Sequence, residues 1–233
     1  MQDRASLMRP WLLLTPALTT VALLLVIPVG FIVVYSFWLR TSTGTDSVGF
    51  YLDNWAEVLT DPFYRDILLK TLRIAFLTTV ACAILGYAPA YYIATSNSCY
   101  KPLLLLLLIL PFWISYIIRT MSWINILGVS GAINSALLWA GLISEPVQLL
   151  YNEGTVILGL VHYLLPFMIL NVYVSVEAID RNLVDAARSL GSTSLQAFRE
   201  ITLPLSLPGL AAGGLLCFVL SAGTYITPAI LGG

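Results

Sequence analysis

Long stretches without a charged residue dominate the hydrophobic pattern of this chain. A helix needs roughly 20 apolar residues to cross the hydrocarbon core of a bilayer. The pattern predicts membrane spans at about 11–39, 67–95, 102–122, 154–176 and 205–228. The first apolar stretch is too long for a signal peptide and lacks a small-residue cleavage site, so we expect it to remain as an anchor helix.

A further uncharged stretch, 120–144, has a different pattern. Gly128, Gly131 and Asn134 interrupt it early, and Gly141 and Pro146 close it. This spacing predicts a short helix at about 133–143 that lies at the membrane interface or re-enters part way. A full sixth crossing is the alternative.

Composition excludes the soluble classes of protein. Hydrophobic residues make up 59% of the 233 residues and charged residues 10%, and the mean hydropathy is +0.90. A soluble chain of this size cannot cover so much apolar surface. The net charge of -1 implies no nucleic-acid partner, and the three cysteines fit no metal or disulfide spacing. We predict an all-α, polytopic helical bundle in a lipid bilayer, forming one domain over 1–233.

The most polar connection between spans, 177–204, contains residues typical of helix caps and a tight turn. Asp180 is placed to cap a short helix, and Gly191 follows that helix where a left-handed C-cap favours glycine. Thr193 and Gln196 form a capping-box pattern for a second helix, which we expect Pro204 to end. The segment is either a docking surface for another protein or a capped hairpin that only links two spans.

The spacing within 177–204 resembles the signature loop of bacterial ABC-importer permeases. That family carries Glu-Ala-Ala, three residues, Gly, nine residues and then Ile-x-Leu-Pro. Here residues 185–187 are Asp-Ala-Ala, Gly191 follows three residues later, and residues 201–204 are Ile-Thr-Leu-Pro after nine more. The one departure is Asp185 for Glu. Softer matches to the spermidine/putrescine branch of the family lie at 110–113, 118–120, 123, 126–128, 164–167, 203–209 and 227–233.

The resemblance implies partners and an orientation. Lys and Arg are almost evenly divided between the two sides of the predicted spans, so charge does not fix the direction. In the family the loop faces the cytoplasm, which places the N-terminus of this chain there, in the inner membrane of a bacterium. The implied partners are ABC ATPase subunits, a second permease chain that is a sister of this one, and an extracytoplasmic solute-binding protein. Because the family has six spans, we expect a last one to be missing here.

The resemblance also assigns the ATPase-docking surface. The docking residues it implies are Asp185, Ala186, Ala187, Arg188, Leu190, Gly191, Leu195, Phe198, Ile201, Leu203 and Pro204. Leu190, Leu195 and Phe198 are expected to fill the groove of the ATPase. Neither Lys70 nor Lys101 follows a Gly, so the chain has no phosphate-binding loop of its own. We therefore expect no cofactor on this chain, with ATP and Mg²⁺ on the ATPase subunit.

Aromatic residues are the candidates for the substrate pathway. Polyamines are flexible cations, which anions and aromatic faces bind. The candidates are Trp113, Tyr116, Trp123, Tyr163, Tyr173 and Tyr225, although such residues also gather at membrane interfaces. Arg119 is expected to be a snorkelling anchor, and His162 a packed, hydrogen-bonded side chain. We expect no catalytic residue and no metal site.

Other functions stay open at this point. The same kind of permease could carry an amino-acid-like or anionic solute. A stand-alone secondary transporter would need polar groups near mid-membrane, which the spans almost lack. A membrane enzyme would need a catalytic constellation, and a purely structural subunit differs from a permease only by the 177–204 pattern.

Overall fold

A computed structural model describes residues 4–40, 46–96 and 98–232. The described residues are almost entirely helical, with one two-residue antiparallel pair, and the all-α membrane-bundle class is confirmed. In the described part of the chain, five helical segments are long and apolar enough to cross a membrane: Leu14–Tyr35, Pro62–Thr95, Tyr116–Trp139, Glu153–Glu177 and Ser194–Ala222. The chain forms two compact units, residues 1–68 and 69–233. The prediction of one domain stays a prediction.

The first unit contains helix α1 (Arg4–Tyr35), strands β1 (Leu39–Arg40) and β2 (Asp46–Ser47), helix α2 (Asp53–Thr60) and the start of α3 (Pro62–Thr95). From Leu14 to Tyr35 no side chain of α1 is buried. The turn after α1 is ordered by Asn54, whose side-chain amide donates to the carbonyl oxygens of Ser36 (3.1 Å) and Trp38 (2.8 Å).

The second unit begins within α3. It continues with α4 (Lys101–Ile109), a 3₁₀ turn (Leu110–Trp113), α5 (Tyr116–Leu127), α6 (Ala132–Trp139), α7 (Glu153–Glu177), α8 (Arg181–Ser189), α9 (Ser194–Ala197), a π turn (Phe198–Thr202), α10 (Leu203–Ala222) and α11 (Ile226–Leu231).

Helix α7 lies at the centre of the second unit. Its buried side chains include Leu164, Met168 and Val172, which pack with Cys82 of α3 and Cys217 of α10. A second cluster joins the start of α7 to α3, α5 and α11. Among the five candidate spans of the described residues, α7 is the most enclosed, so apolar neighbours cover it on several faces.

The structure differs from the predicted bounds in the middle of the chain. The predicted span 102–122 is not continuous, because the helix stops at Ile109 and restarts at Tyr116. The 3₁₀ turn between them contains Pro111, which cannot donate to the helical ladder. The predicted 133–143 helix is observed as α6, and with α5 it makes a segment long enough to cross. The span predicted at 205–228 ends at Ala222, and α11 follows.

Asn134 fixes the connection after α6. Its side chain is fully buried, donates to the carbonyl oxygens of Gly128 (3.0 Å) and Val147 (2.9 Å), and accepts from the backbone N–H of Val147 (2.9 Å). Asn134, which the sequence suggested as a helix breaker, is therefore a helical residue whose side chain connects the loops at Gly128 and Val147.

Candidate functional site

The first helix of the 177–204 segment is capped as predicted. The Asp180 carboxylate accepts from the backbone N–H of Asn182 at 3.0 Å, at the start of α8. No residue of α8 is buried in this chain. A helix so exposed owes little to packing, and the cap stabilises it locally by about 1 kcal/mol.

Gly191 ends α8 in a left-handed turn. Its φ is +94°, its N–H donates to the Arg188 carbonyl (3.0 Å), and the N–H of Ser192 donates to the Ala187 carbonyl (3.0 Å). These two bonds make a Schellman motif, which L-residues with a side chain adopt only at a cost. A Cβ at Gly191 would meet no atom within 4 Å, so the space beside the turn is open.

The second helix of the segment begins with a complete capping box. The Thr193 hydroxyl accepts from the N–H of Gln196, and the Gln196 side chain accepts from the N–H of Thr193. Pro204 does not end this helix, which is a correction to the prediction. The backbone continues from α9 through the π turn into α10, with Pro204 in the first turn of α10. The extra residue of a π turn interrupts the ladder just where the proline removes a donor.

The segment has an outward and an inward face. Leu190 is 88% exposed and Leu195 66% exposed, and no other residue that the structure describes covers them. Asp185, Ala186, Arg188, Gly191 and Pro204 are also exposed, whereas Ala187, Ile201 and Leu203 are partly buried. Phe198 does not face outward. Its ring packs edge-on against Tyr91 and Tyr87, so the structure does not offer it to a groove on another protein.

Polar contacts attach the segment to the end of α3. Glu177 forms an ion pair with Lys101 at 2.5 Å, and Lys101 also donates to the Ala94 carbonyl at 3.2 Å. Arg181, the first residue of α8, donates to the same carbonyl at 3.3 Å. Two cations thus converge on one of the last carbonyls of α3, where the helix dipole is negative.

Two of the aromatic pathway candidates come together. The rings of Tyr116 and Tyr163 lie 4.4 Å apart between centroids. The Tyr116 hydroxyl is hydrogen-bonded to the hydroxyls of Thr224 (3.2 Å) and Thr227. Sequence reasoning missed these threonines, although hydroxyls in an apolar span are a usable signal because they seek partners there.

The other candidates lie elsewhere. The Trp123 indole donates to Nδ1 of His162 at 3.3 Å, so the histidine is hydrogen-bonded as expected, but its side chain is exposed rather than packed. Trp113 and Tyr225 are 80% and 81% exposed. The Tyr173 ring faces Lys101, 5.4 Å from Nζ to the ring centroid, beside the 177–204 segment. Tyr173 is therefore not grouped with Tyr116 and Tyr163.

Arg119 is not a snorkelling anchor. It is 8% exposed, and its guanidinium donates to the carbonyl oxygens of Pro111 and Ile114 (3.0 Å) in the break before α5. Snorkelling requires the charged end to reach water. The guanidinium instead binds carbonyls at the break, where regular helical hydrogen bonding is interrupted.

No group of three or more metal-ligating side chains occurs in the part of the chain that the structure describes. The described residues thus form a capped, exposed segment within 177–204 and, separately, a cluster of aromatic rings and hydroxyls around Tyr116.

No protein-family model matches the chain. The spermidine/putrescine transport system permease protein PotB of Escherichia coli (strain K12) is 40% identical over 198 residues, covering 85% of this chain and 72% of that protein. The chain belongs to the PotB family of ABC-transporter permeases. The PotB protein of Haemophilus influenzae is 35% identical over 207 residues, covering 89% of this chain and 72% of the relative.

A solved structure shares the fold of this PotB-family chain. It is a crystal structure of a bacterial alginate ABC transporter in complex with an alginate pentasaccharide-bound periplasmic protein. The matched chain has a TM-score of 0.71 and 19% identity, with 99% of this chain and 83% of that chain covered. The family and the apolar helices together make this chain a multi-pass membrane transport protein.

Proposed function

We propose that this chain is the permease subunit of an ATP-driven importer, in which a separate ATPase subunit docks on the 177–204 segment. The supporting observation is the exposed apolar pair Leu190 and Leu195 on either side of the Gly191 turn. Exposed leucines that none of the described residues covers, next to charged side chains, favour a protein partner. ATP and Mg²⁺ bind to the ATPase subunit, and this chain faces the cytoplasm with its N-terminus and the segment.

In the proposed mechanism, ATP binding closes the two ATPase subunits and draws their docked segments together. The spans of this chain and of a sister permease chain then switch between inward-facing and outward-facing states. A ligand drives such a switch only by binding one state more tightly, and here the closed ATPase pair is that ligand. A solute-binding protein delivers the solute on the extracytoplasmic side.

The proposed solute is a polyamine such as spermidine or putrescine. The names of the PotB relatives support it. So do the paired rings of Tyr116 and Tyr163, whose faces suit a flexible cation.

A second candidate is a solute with an anionic group. One observation favours it: the Arg119 guanidinium already occupies the face of Tyr163, 5.9 Å from its ring centroid, and would repel a cation there. Uptake assays with labelled spermidine and with labelled amino-acid or carboxylate solutes, in cells that express the whole transporter, separate the two. Saturable uptake of only the anionic solutes would exclude the polyamine.

The docking proposal is tested by co-purification from detergent-solubilised membranes. Gly191→Asp forces a side chain into the open space of the turn, so the ATPase subunit should be lost. Gly141→Asp is a matched control, because Gly141 also has a positive φ (+67°) and no atom within 4 Å of a Cβ, but lies outside the segment. Recovery of the ATPase subunit at the wild-type level with both variants would refute docking at this segment.

A further inference from the structure

Phe198 lies where the exposed part of the 177–204 segment continues into α10. It is the first residue of the π turn that links α9 to α10. Its neighbour Ala197 is 2% exposed, whereas Leu195, two residues earlier, is 66% exposed. The chain thus changes from an outward to an inward face within one helical turn.

The Phe198 ring contacts two tyrosines of α3. The ring centroids lie 5.4 Å from Tyr91 and 5.8 Å from Tyr87, with interplanar angles of 83° and 84°. Both contacts are edge-to-face, which is a favourable arrangement of aromatic quadrupoles. Tyr87 and Tyr91 are four residues apart, so they project from one face of α3. Tyr87, Tyr91 and Phe198 are called the ring cluster below.

Hydrogen bonds connect α3 to α10 and to α8 near the ring cluster. The Tyr87 hydroxyl is hydrogen-bonded to the fully buried Ser206 hydroxyl at 2.7 Å, beyond the π turn. On the other side, the Ala94 carbonyl of α3 accepts from Arg181 of α8. One face of α3 therefore receives α8, the π turn and the start of α10.

This arrangement suits the transfer of movement. Aromatic rings have few rotatable bonds, and close-packed contacts shift between discrete arrangements rather than yield gradually. A π turn is an interruption of the helical ladder and is frequent at functional positions. If α8 and α9 move, the Phe198 ring at the π turn moves with them and displaces Tyr87 and Tyr91 of α3.

We propose that Phe198 is a positioning residue that couples movement of the docked segment to α3 through the ring cluster, and that it takes no part in ATPase docking. The proposal rests on the function proposed above, since it presupposes an ATPase on the outward face. It assigns separate roles to the two faces: Leu190 and Leu195 hold the ATPase, and Phe198 transmits its movement.

The test compares Phe198→Ala with Leu195→Ala in the assembled transporter. Three quantities are measured: ATPase subunit recovered per permease, solute uptake, and ATP hydrolysed per solute imported. Phe198→Ala should retain the ATPase but lower uptake by roughly fivefold or more, with more ATP hydrolysed per solute. Leu195→Ala should lower ATPase recovery instead, and leave the ATP-to-solute ratio of the assembled fraction unchanged.

Two further variants keep the proposal testable if Phe198→Ala lowers the amount of folded protein. Phe198→Leu retains apolar volume without the ring and should give the same raised ATP-to-solute ratio. Tyr91→Phe retains the ring and should match wild type in all three quantities. A double variant, Phe198→Leu with Tyr91→Leu, should be no worse than the worse single variant, because one shared contact can be lost only once.

Other outcomes overturn the proposal. Loss of the ATPase in both Phe198 variants would make Phe198 part of the docking surface. Wild-type uptake and ATP-to-solute ratio in both would show that the ring cluster transmits nothing. Either result leaves the docking proposal standing, whereas recovery of the ATPase with Gly191→Asp would overturn the docking proposal itself.

Discussion

The guanidinium of Arg119 lies over the ring of Tyr163, with its central carbon 5.9 Å from the ring centroid. The same side chain binds two backbone carbonyls in the break before α5, while its buried Nε and Nη1 atoms have no hydrogen-bond partner among the described residues. A charge in a membrane-spanning region is costly, and the two carbonyls that the guanidinium binds at the break offset part of that cost.

Arg119→Ala should lower the melting temperature of the purified protein in detergent. The variant loses two hydrogen bonds from a charged donor, at about 1.5–3 kcal/mol for each bond, and relief of the buried charge offsets only part of this. Arg119→Lys should be milder, because an ammonium keeps donors for both carbonyls. Arg65→Ala is the control, since Arg65 is exposed and pairs only with its neighbour Asp66 among the salt bridges of the described chain. An unchanged melting temperature for Arg119→Ala would contradict this role.

Asn134→Ala should be strongly destabilising. It removes three hydrogen bonds at 2.9–3.0 Å that the fully buried side chain makes to backbone groups, at about 0.5–1.5 kcal/mol for each bond. Leu138→Ala on the same helix is the comparison, because Leu138 is 38% exposed. Thermal melting in nanodiscs should separate the two variants, and equal losses would show that the loop does not depend on Asn134.

Two glycines of α10 should respond oppositely to alanine. A Cβ at Gly209 would lie 2.2 Å from Cβ of Ser175 and 2.7 Å from the Asn171 carbonyl oxygen, so α7 and α10 would have to separate. Gly209→Ala should cost about 1–3 kcal/mol by overpacking.

A Cβ at Gly214 would meet only a Thr79 methyl at 3.7 Å, an ordinary contact. Gly214→Ala should therefore be neutral or stabilising by up to about 1 kcal/mol, the difference in helix propensity. Melting temperatures measured side by side test the pair. The same change in melting temperature for both variants would show that Gly209 is not needed for the close approach of α7 and α10.

Exchanging the charges of Lys101 and Glu177 should show that their effects on the free energy of unfolding are coupled. Lys101→Glu and Glu177→Lys each place like charges together, and the double reversal should recover part of the loss. Because the two side chains are 19% and 41% exposed, solvent screening keeps the coupling near 1 kcal/mol. Recovery should be incomplete, since a glutamate at 101 cannot donate to the Ala94 carbonyl. Strictly additive losses in the double-mutant cycle would argue against the pair.

The local features of the 177–204 segment were predictable because their causes are local. Asp180 and the Thr193–Gln196 pair satisfy helix-end N–H groups a few residues away, and Gly191 supplies a turn that other residues resist. Pro204 was misread for the same reason. As a local signal it ends a helix, but the neighbouring π turn and the packing of α10 on α7 carry the helix through it.

The membrane class, the apolar stretches and the caps could be predicted from the sequence, because length, hydropathy and short-range hydrogen bonds do not depend on the rest of the fold. The direction in which a side chain faces depends on its neighbours in the folded chain. Arg119 turned from an expected surface anchor into a buried ligand of backbone carbonyls, and Phe198 turned from an expected docking residue into a contact of Tyr87 and Tyr91. In an apolar span almost every face is hydrophobic, so the periodicity that separates inside from outside in a soluble helix is absent, and the partner across the helix interface makes the choice.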